Sequence, residues 1–284
     1  MNIKKIEEKV GFSVLNLCVI TVSAALFGIL YDIVSKGWVK ISWEFLSKSP
    51  SMGMTEGGIF PAIVGTFLVT VITAVLSVPL GMGCAVYLNE YAGDNFITRL
   101  IRMSIRNLSG VPSIVYGLFG VVVFVNMAHL GTSILSAGMT LGLMTLPWTI
   151  TSSEEALKNV PQSYRDGALA LGATKWTTLK TNVIPYAIPG MLTGTILGLA
   201  RAAGETAPIL FTGAAFFLPF LPRSLSDQFM ALPYHLYIMA TQHHDIEAVR
   251  PIAYGTALVL IALILVMNLS AIILRYKLRK LKRE

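Results

Sequence analysis

The stretch GMLTGTILGLARAAGETAPILFTG, residues 190–213, places two opposite charges inside an apolar run. Three glycines spaced four residues apart form a stripe along one face of a helix: Gly190, Gly194 and Gly198. At about 100° per residue, Arg201 and Glu205 fall within this stripe. A stripe of small residues lets another helix approach closely, so we expect the glycines to pack helices and both charges to avoid lipid.

The charged pair has two interpretations. A count of about 14 residues at 1.5 Å each places Arg201 roughly 20 Å into a bilayer, near or just beyond its midplane. An arginine there costs about 2.5–3.5 kcal/mol and persists only when it is paired or functional. Either Arg201 and Glu205 form a structural pair, or Arg201 binds an oxyanion in transit while Glu205 keeps the site from becoming a trap. Pro208 is predicted to kink the helix just after the charges and to open it to a cavity.

The rest of the chain has the composition of a membrane protein. Of its 284 residues 54% are hydrophobic and 13% charged, against roughly a quarter charged in soluble domains. The charges separate long uncharged runs, which are residues 10–31, 57–89, 107–153, 181–200, 206–222 and 251–274. Because a span needs about 20 residues, the third run holds two spans, divided at Gly131 and Thr132.

Basic residues predict the topology. With six spans, 16 Lys and Arg lie on one side and 5 on the other, which places both termini in the cytoplasm. Residues 206–222 then complete the fifth span and begin an external segment, because a seventh span would move the basic C-terminal tail outside. The net charge of +7 follows from loops that face anionic lipid, and nucleic acid is not required. Three arginines on one face of a predicted helix suit lipid headgroups in the same way: Arg99, Arg102 and Arg106.

Motifs of catalysis are absent from the sequence. It contains no GxxxxGK[ST], GxSxG, HExxH or CxxC, so we predict no catalytic residue, no metal and no cofactor in this chain. Cys18 and Cys84 are interpreted as small apolar residues, and residues 243–245 (His-His-Asp) as a solvated turn. Uphill transport driven by ATP would need a separate ATPase.

A cytoplasmic segment, residues 153–185, is predicted to form two short helices. One ends at Gly172, and the second runs to Pro185. The segment resembles the signature of bacterial ABC importer permeases: Glu-Ala-Ala, three residues, Gly, nine residues and Ile-x-Leu-Pro. The resemblance implies that a coupling helix contacts the ATPase through four matching positions: Asp166, Gly167, Ala168 and Gly172. Asp, Gly, Asn and Ile stand where the signature has Glu, Ala, Ile and Leu, and an ordinary interfacial hairpin is the alternative.

Three further stretches resemble the permeases of the phosphate-specific ABC importer. They are NLSGVPSIVYGLFG (107–120), RAAGETAPILFTG (201–213) and FMALPYHLYIMA (229–240). Ala207 and Pro208 after Gly-Glu-Thr are typical of the PstA-type permease rather than of its PstC-type partner. In this family Arg201 and Glu205 match charged residues of the transport pathway.

The resemblance implies an architecture and a set of partners. The fold would be the all-α type I importer permease, with residues 1–56 forming a stub, the first span and an external loop, and residues 57–284 the permease core with external segment 216–250. The partners would be a PstC-like permease, an ATPase dimer holding ATP and Mg²⁺, and an external phosphate-binding protein at the bacterial inner membrane. The alternatives are another oxyanion, such as sulfate or molybdate, or an ATPase-independent anion carrier with Glu205 as a proton site.

Overall fold

The computed structural model describes residues 3–280 of the chain, with side chains described for residues 11–278. The described residues are mostly helical and include one antiparallel pair of short strands, β1 (Pro50–Ser51) and β2 (Glu56–Gly57). The helices are α1 (Ile3–Trp38), α2 (Trp43–Ser47), α3 (Phe60–Val86), α4 (Phe96–Leu108), α5 (Ser113–Gly120), α6 (Ile134–Lys158), α7 (Gln162–Ala170), α8 (Lys175–Thr178), α9 (Ile184–Ala203), α10 (Ala207–Thr212), α11 (Leu232–Thr241) and α12 (Ile246–Lys280). Wider π-helical turns follow α3 (Tyr87–Tyr91) and α5 (Val121–Met127) and precede α9 (Leu179–Val183). The all-α prediction is confirmed.

The long apolar helices agree with the predicted spans. Among the described residues, five helices are long and apolar enough to cross a membrane: Gly11–Trp38, Phe60–Tyr91, Ile134–Lys158, Lys175–Ala203 and Ile246–Leu278. Helices Phe96–Leu108 and Ser113–Met127, which meet at 102°, make a sixth span if they are counted together. Within residues 206–222 the helix α10 has six residues, too few to cross. The prediction of six spans rather than seven is therefore consistent with the structure.

The third span is shorter than the sequence predicts. Its uncharged run begins at Asn107, but α5 begins at Ser113, after a turn through Gly110 and Pro112. Helix α5 has eight residues and its π-helical extension seven, which together reach about 22 Å at 1.5 Å per residue. The hydrocarbon layer is about 30 Å thick, so α5 and its extension are by themselves too short to cross it.

Helix α6 is the centre of the bundle. It packs against α3, α5, α9 and α10, and glycines allow close approach on both sides of the α3–α6 contact. A Cβ atom on Gly138 of α6 would overlap Ile72, and one on Gly81 of α3 would lie 2.6 Å from the Thr149 methyl group. Buried hydroxyl groups in this contact, such as that of Thr73, donate to the carbonyl four residues earlier, so they need no water.

Helix α1 lies at the edge of the bundle. Its described apolar side chains are largely exposed, and it packs along α12. The Tyr254 hydroxyl of α12 donates to Asp32 of α1 at 2.9 Å, and Lys36 forms an ion pair with the same carboxylate. Exposed apolar surface of this extent fits a helix that lies against lipid.

The segment that follows α6 contains the hairpin predicted from the sequence, with one difference. Helix α7 ends before Gly172, whose φ of +84° is a left-handed conformation that favours glycine. Helix α8 then continues through its π-helical turn into α9 without a break at Pro185. Pro185 sits in the first turn of α9, where its missing N–H is tolerated, and the π-helical turn gives its ring room.

The basic face of α4 is divided between two environments. Arg99 is exposed and donates to Asp94, and this bond holds the pKa of the Asp94 carboxyl below its usual range. Arg102 instead lies 3.0 Å from Glu154 of α6 and donates to the Leu88 carbonyl at 2.6 Å. The structure therefore uses Arg102 to attach α4 to the bundle rather than to contact headgroups.

Candidate functional site

A break between α9 and α10 positions the two charges that the sequence places inside the membrane. Helix α9 ends at Ala203, because Gly204 caps it and Pro208 lies in the first turn of the next helix. The Gly204 N–H donates to the Arg201 carbonyl at 3.0 Å. Arg201 thus lies in the last turn of α9, whereas Glu205 lies beyond the helix. The two residues are not on one continuous helical face, and the interruption precedes the kink expected at Pro208.

The contact between Arg201 and Glu205 is loose. Arg201 Nε and Glu205 Oε1 are 3.7 Å apart, beyond hydrogen-bond distance. The Arg201 side chain is 68% exposed and that of Glu205 18% exposed. Within the part of the chain that the structure describes, no other carboxylate lies within ion-pair distance of Arg201. Its guanidinium is therefore open to a ligand.

The two charges line a cavity of about 230 Å³. Three elements form its walls: the turn before α5, the middle of α6 and the end of α9. Besides Arg201 and Glu205, the polar side chains of this wall are those of Ser109, Ser113, Tyr116, Thr145 and Trp148. The volume accommodates several water molecules at about 30 Å³ each, or a small hydrated anion.

The turn before α5 brings polar backbone and hydroxyl groups to this cavity. Pro112 precedes the helix with an extended backbone, and the Val115 N–H donates to its carbonyl at 3.0 Å. The Tyr116 hydroxyl donates to the Leu108 carbonyl at 2.8 Å, which closes the turn from within. The N-terminus of a helix carries partial positive charge, so this wall and the Arg201 guanidinium both favour an anion.

Sequence patterns do not single out these cavity residues. Residues 107–120 carry a family resemblance, and within them Ser-Gly-Val-Pro-Ser is typical of a turn followed by a helix start. That pattern predicts where α5 begins, but it does not indicate that the turn faces Arg201. Trp148 of α6 is some 50 residues from Arg201 in the sequence, and no sequence pattern indicates that it lines the same cavity.

The glycine stripe faces α6 of the same chain. A Cβ atom on Gly190 would lie 2.9 Å from the Ala156 Cβ, and one on Gly194 would lie 2.5 Å from the Ser152 Cβ. Gly198 approaches the Trp148 ring, whose Nε1 donates to the Gly194 carbonyl at 3.1 Å. The stripe thus fixes the ring that forms one wall of the cavity.

The four positions that match the importer signature lie apart from the cavity, at the end of the bundle where α7 is found. The structure places Asp166, Gly167 and Ala168 together on α7 and Gly172 directly after it. The Asp166 carboxylate accepts from the Gln162 amide at 3.0 Å within the same helix and remains exposed. Open space surrounds Gly167 and Gly172, so this surface is free to contact another protein.

The prediction of a solvated turn at residues 243–245 is wrong for His243, which connects this turn to the segment that contains Gly53. His243 is buried, and its Nε2 lies 2.7 Å from the Gly53 carbonyl while its Nδ1 accepts from the Asp245 N–H. Among the residues that the structure describes, no three His, Cys, Asp or Glu side chains are grouped to hold a metal ion.

Comparisons with known proteins agree with this architecture. Residues 77–283 match the family model for the binding-protein-dependent transport system inner membrane component. The chain is 34% identical to the Probable ABC transporter permease protein YqgI of Bacillus subtilis, over 94% of this chain and 95% of that protein. It is 31% identical to the Probable phosphate transport system permease protein PstA of Methanocaldococcus jannaschii, with coverage of 93% and 92%. For PstA 1 of Mycobacterium tuberculosis the identity is 32%, with coverage of 88% and 83%.

Solved structures show the same fold at low identity. A chain of a bacterial ABC transporter that imports alginate superimposes with a TM-score of 0.65 at 12% identity, covering 94% of both chains. The inward-facing MetNI methionine transporter matches with a TM-score of 0.60 at 15% identity, covering 78% of this chain and 94% of that one. The type I importer permease fold is thus confirmed.

These matches identify the protein family of the chain and its type of subunit. In this family the ATPase is a separate subunit, and the permease is a multi-pass protein of the inner membrane. The resemblance to PstA-type permeases is confirmed by relatives that cover most of the chain. The chain belongs to the family of binding-protein-dependent transport system inner membrane components, the membrane permeases of ABC importers.

Proposed function

We propose that this chain is the PstA-like half of an ATP-driven importer of inorganic phosphate. A PstC-like permease would supply the other half of the pathway. Relatives named phosphate transport system permease PstA, at 31–32% identity over most of their length, support the substrate class. The observation that carries the proposal is the cavity in which Arg201 lies open, beside hydroxyl groups and the start of α5.

Phosphate is matched by the chemistry of this cavity. A guanidinium binds two oxygens of a phosphate at once and keeps its charge at every physiological pH. The hydroxyl groups of Ser109 and Ser113 can donate further hydrogen bonds. Glu205 contributes opposing charge close by, so that binding is weak enough for the anion to leave.

The remaining partners are assigned to the two ends of the bundle. The exposed surface of α7, with Asp166, Gly167, Ala168 and Gly172, would contact the ATPase dimer on the cytoplasmic side. ATP and Mg²⁺ would bind to that ATPase and not to this chain. The external phosphate-binding protein would dock at the opposite end, which contains segment 216–250. ATP-driven closure at α7 would then switch the cavity between the two sides of the membrane.

The test is uptake of labelled phosphate by vesicles that contain the complete importer and its binding protein. We expect Arg201→Gln to lower uptake at least tenfold while the complex assembles and still hydrolyses ATP. Arg99→Gln is the matched control, because Arg99 is also an exposed arginine paired with a nearby carboxylate, outside the cavity and outside both proposed docking surfaces. It should leave uptake unchanged.

The alternatives give different results in the same vesicles. Normal uptake by the Arg201 variant would reduce that residue to a structural partner of Glu205. Stronger competition by sulfate or molybdate than by unlabelled phosphate would reassign the substrate to another oxyanion. Uptake without the ATPase subunits would indicate a secondary carrier instead.

A further inference from the structure

A second charged pair lies at the α7 end of the bundle, outside every position that matches the importer signature. Arg165 of α7 donates from Nη2 to Glu90 Oε1 at 2.7 Å, and Glu90 lies in the π-helical turn that ends α3. The two side chains are 15% and 8% exposed. The two residues are 75 positions apart in the sequence, so this close and nearly buried ion pair joins two distant segments.

The same guanidinium also holds the end of α6. Arg165 Nη1 donates to the Val160 carbonyl at 2.9 Å, and Nη2 lies 3.2 Å from the Leu157 carbonyl. Carbonyl groups at a helix C-terminus lack partners within the helix and carry partial negative charge, so a buried cation is stabilised there. A single arginine therefore joins α7 to α3 and to α6.

The rest of α7 is weakly attached. No residue of α7 is fully buried, and its other charged side chain, Asp166, is bonded to Gln162 within the helix. Tyr164 contacts the Tyr186 ring at a centroid distance of 5.1 Å, and Leu169 is exposed. Arg165 is the charged side chain of α7 that bonds to other helices.

We propose that Arg165 is the positioning residue that makes α7, α3 and α6 move as one body when the ATPase acts on α7. The proposal rests on the proposed function, because it assumes that an ATPase docks on the exposed face of α7. Movement of α7 would pull on Glu90 and on the end of α6. Trp148, which lines the Arg201 cavity, is ten residues before the end of α6, about 15 Å along the helix. Arg165 would thus transmit motion to the cavity without touching the substrate.

The experiment compares transport with ATP consumption in the complete importer, reconstituted in vesicles with its binding protein. We expect Arg165→Gln to lower the ratio of phosphate imported to ATP hydrolysed at least tenfold, while hydrolysis stays within about twofold of wild type. Arg165→Lys, which keeps the charge but cannot reach three acceptors, should restore part of the ratio. Arg99→Gln, which removes an exposed pair at the same end, is the matched control and should change nothing.

A distance measurement separates coupling from simple stability. In a chain with Cys18→Ser and Cys84→Ala, spin labels at Leu171→Cys and Tyr87→Cys, both exposed positions, report the separation of the α7 region from the end of α3. This separation should be the same with and without ATP in wild type, and should become ATP-dependent in Arg165→Gln. The label distances are measured without following phosphate transport, so this comparison is valid even if the substrate is another anion.

Two results would overturn the proposal. One is an unchanged transport ratio in Arg165→Gln, with label distances like those of wild type. The other is failure of Arg165→Gln, Arg165→Lys and Glu90→Gln alike to assemble with the ATPase, which would make Arg165 a folding residue only. If the wild-type importer uses ATP hydrolysis to import a different oxyanion, the phosphate assignment is refuted. The proposed role of Arg165 is then unaffected.

Discussion

Two arginine–glutamate pairs of this chain, Arg201–Glu205 and Arg165–Glu90, differ in almost every physical respect. Arg201 and Glu205 are neighbours in sequence, stand 3.7 Å apart, and leave the arginine 68% exposed in a cavity. Arg165 and Glu90 join distant helices at 2.7 Å, with both side chains nearly buried. The first geometry leaves a cation open to a ligand, and the second leaves no room for one.

The difference fits the roles that we propose for the two pairs, transport for Arg201 and Glu205 and mechanical coupling for Arg165 and Glu90. An exposed pair contributes about 0–1 kcal/mol to stability, so its partners can separate when an anion arrives. A buried pair that also bonds to helix ends resists separation, because each free charge would lack solvent. Charge alone does not distinguish these roles; burial and the number of bonded neighbours do.

The largest predicted difference in stability comes from replacing the glutamate of each pair by alanine. Glu90→Ala leaves the Arg165 guanidinium buried without a countercharge, so we expect it to lower the free energy of unfolding by about 3 kcal/mol. Glu205→Ala removes a loose contact and should cost less than about 1 kcal/mol. Reversible unfolding in mixed detergent and SDS micelles, followed by tryptophan fluorescence, measures both changes.

The two variants are controls for each other, since both remove a glutamate from the same fold. Glu247→Ala, which breaks an exposed pair with Arg250, sets the scale for a surface change. Equal losses of stability in Glu90→Ala and Glu205→Ala would mean that the two pairs are energetically alike and that burial does not distinguish them.

A smaller effect is expected where the glycine stripe holds α9 against α6. A methyl group on Gly194 would meet Ser152 at 2.5 Å, so Gly194→Ala must separate the helices and should cost about 1–3 kcal/mol. The change would also move Trp148 and enlarge the cavity on the Arg201 side, while the Arg165 pair stays in place. The same unfolding assay measures the cost.

Gly83 provides the matched control for that substitution. It lies inside α3 with nothing within 4 Å of an added Cβ atom. Gly83→Ala should therefore stabilise the chain by as much as about 1 kcal/mol, through helix propensity alone. A Gly194→Ala protein as stable as wild type would show that the α6–α9 contact has room to adjust.

Much of the environment of Arg201 and Glu205 could be predicted from local sequence. Arg201 stands between two uncharged runs, close to glycines spaced four apart, and such a pattern identifies a helix-packing face without any structure. The position of Glu205 was predicted less well, because the helical wheel assumed a helix that continues. Gly204 ends it, and a glycine inside an apolar run does not by itself announce a cap.

The pair formed by Arg165 and Glu90 could not be predicted in this way. Glu90 and Arg165 belong to separate loops of the sequence, and each could be read as an ordinary charge at the end of a span. Only the packing of α3 and α7 against the end of α6 brings them together. The cavity was hidden for the same reason, since Ser113, Thr145 and Arg201 come from three helices.

The smallest predicted effect concerns a buried group that has no partner at all. Both ring nitrogens of His235, in α11, lack a hydrogen-bond partner within the described residues. Burial lowers the pKa of His235 to about 4, whereas an unfolded histidine has a pKa of about 6.5. Between these values the unfolded chain binds the proton and the folded chain does not. Stability should therefore fall as the pH drops, by about 1 kcal/mol at pH 5.5 relative to pH 7.5.

A buried ionisable side chain must either be paired, as Arg165 is, or stay neutral, as we expect of His235. His235→Leu should remove this pH dependence of unfolding between pH 7.5 and 5.5. Met239→Leu, a change of similar size in the same buried helix, should retain it. If wild type and His235→Leu lose stability equally on acidification, His235 gains a partner when it is protonated. Burial without a partner would then be too simple a description of this helix.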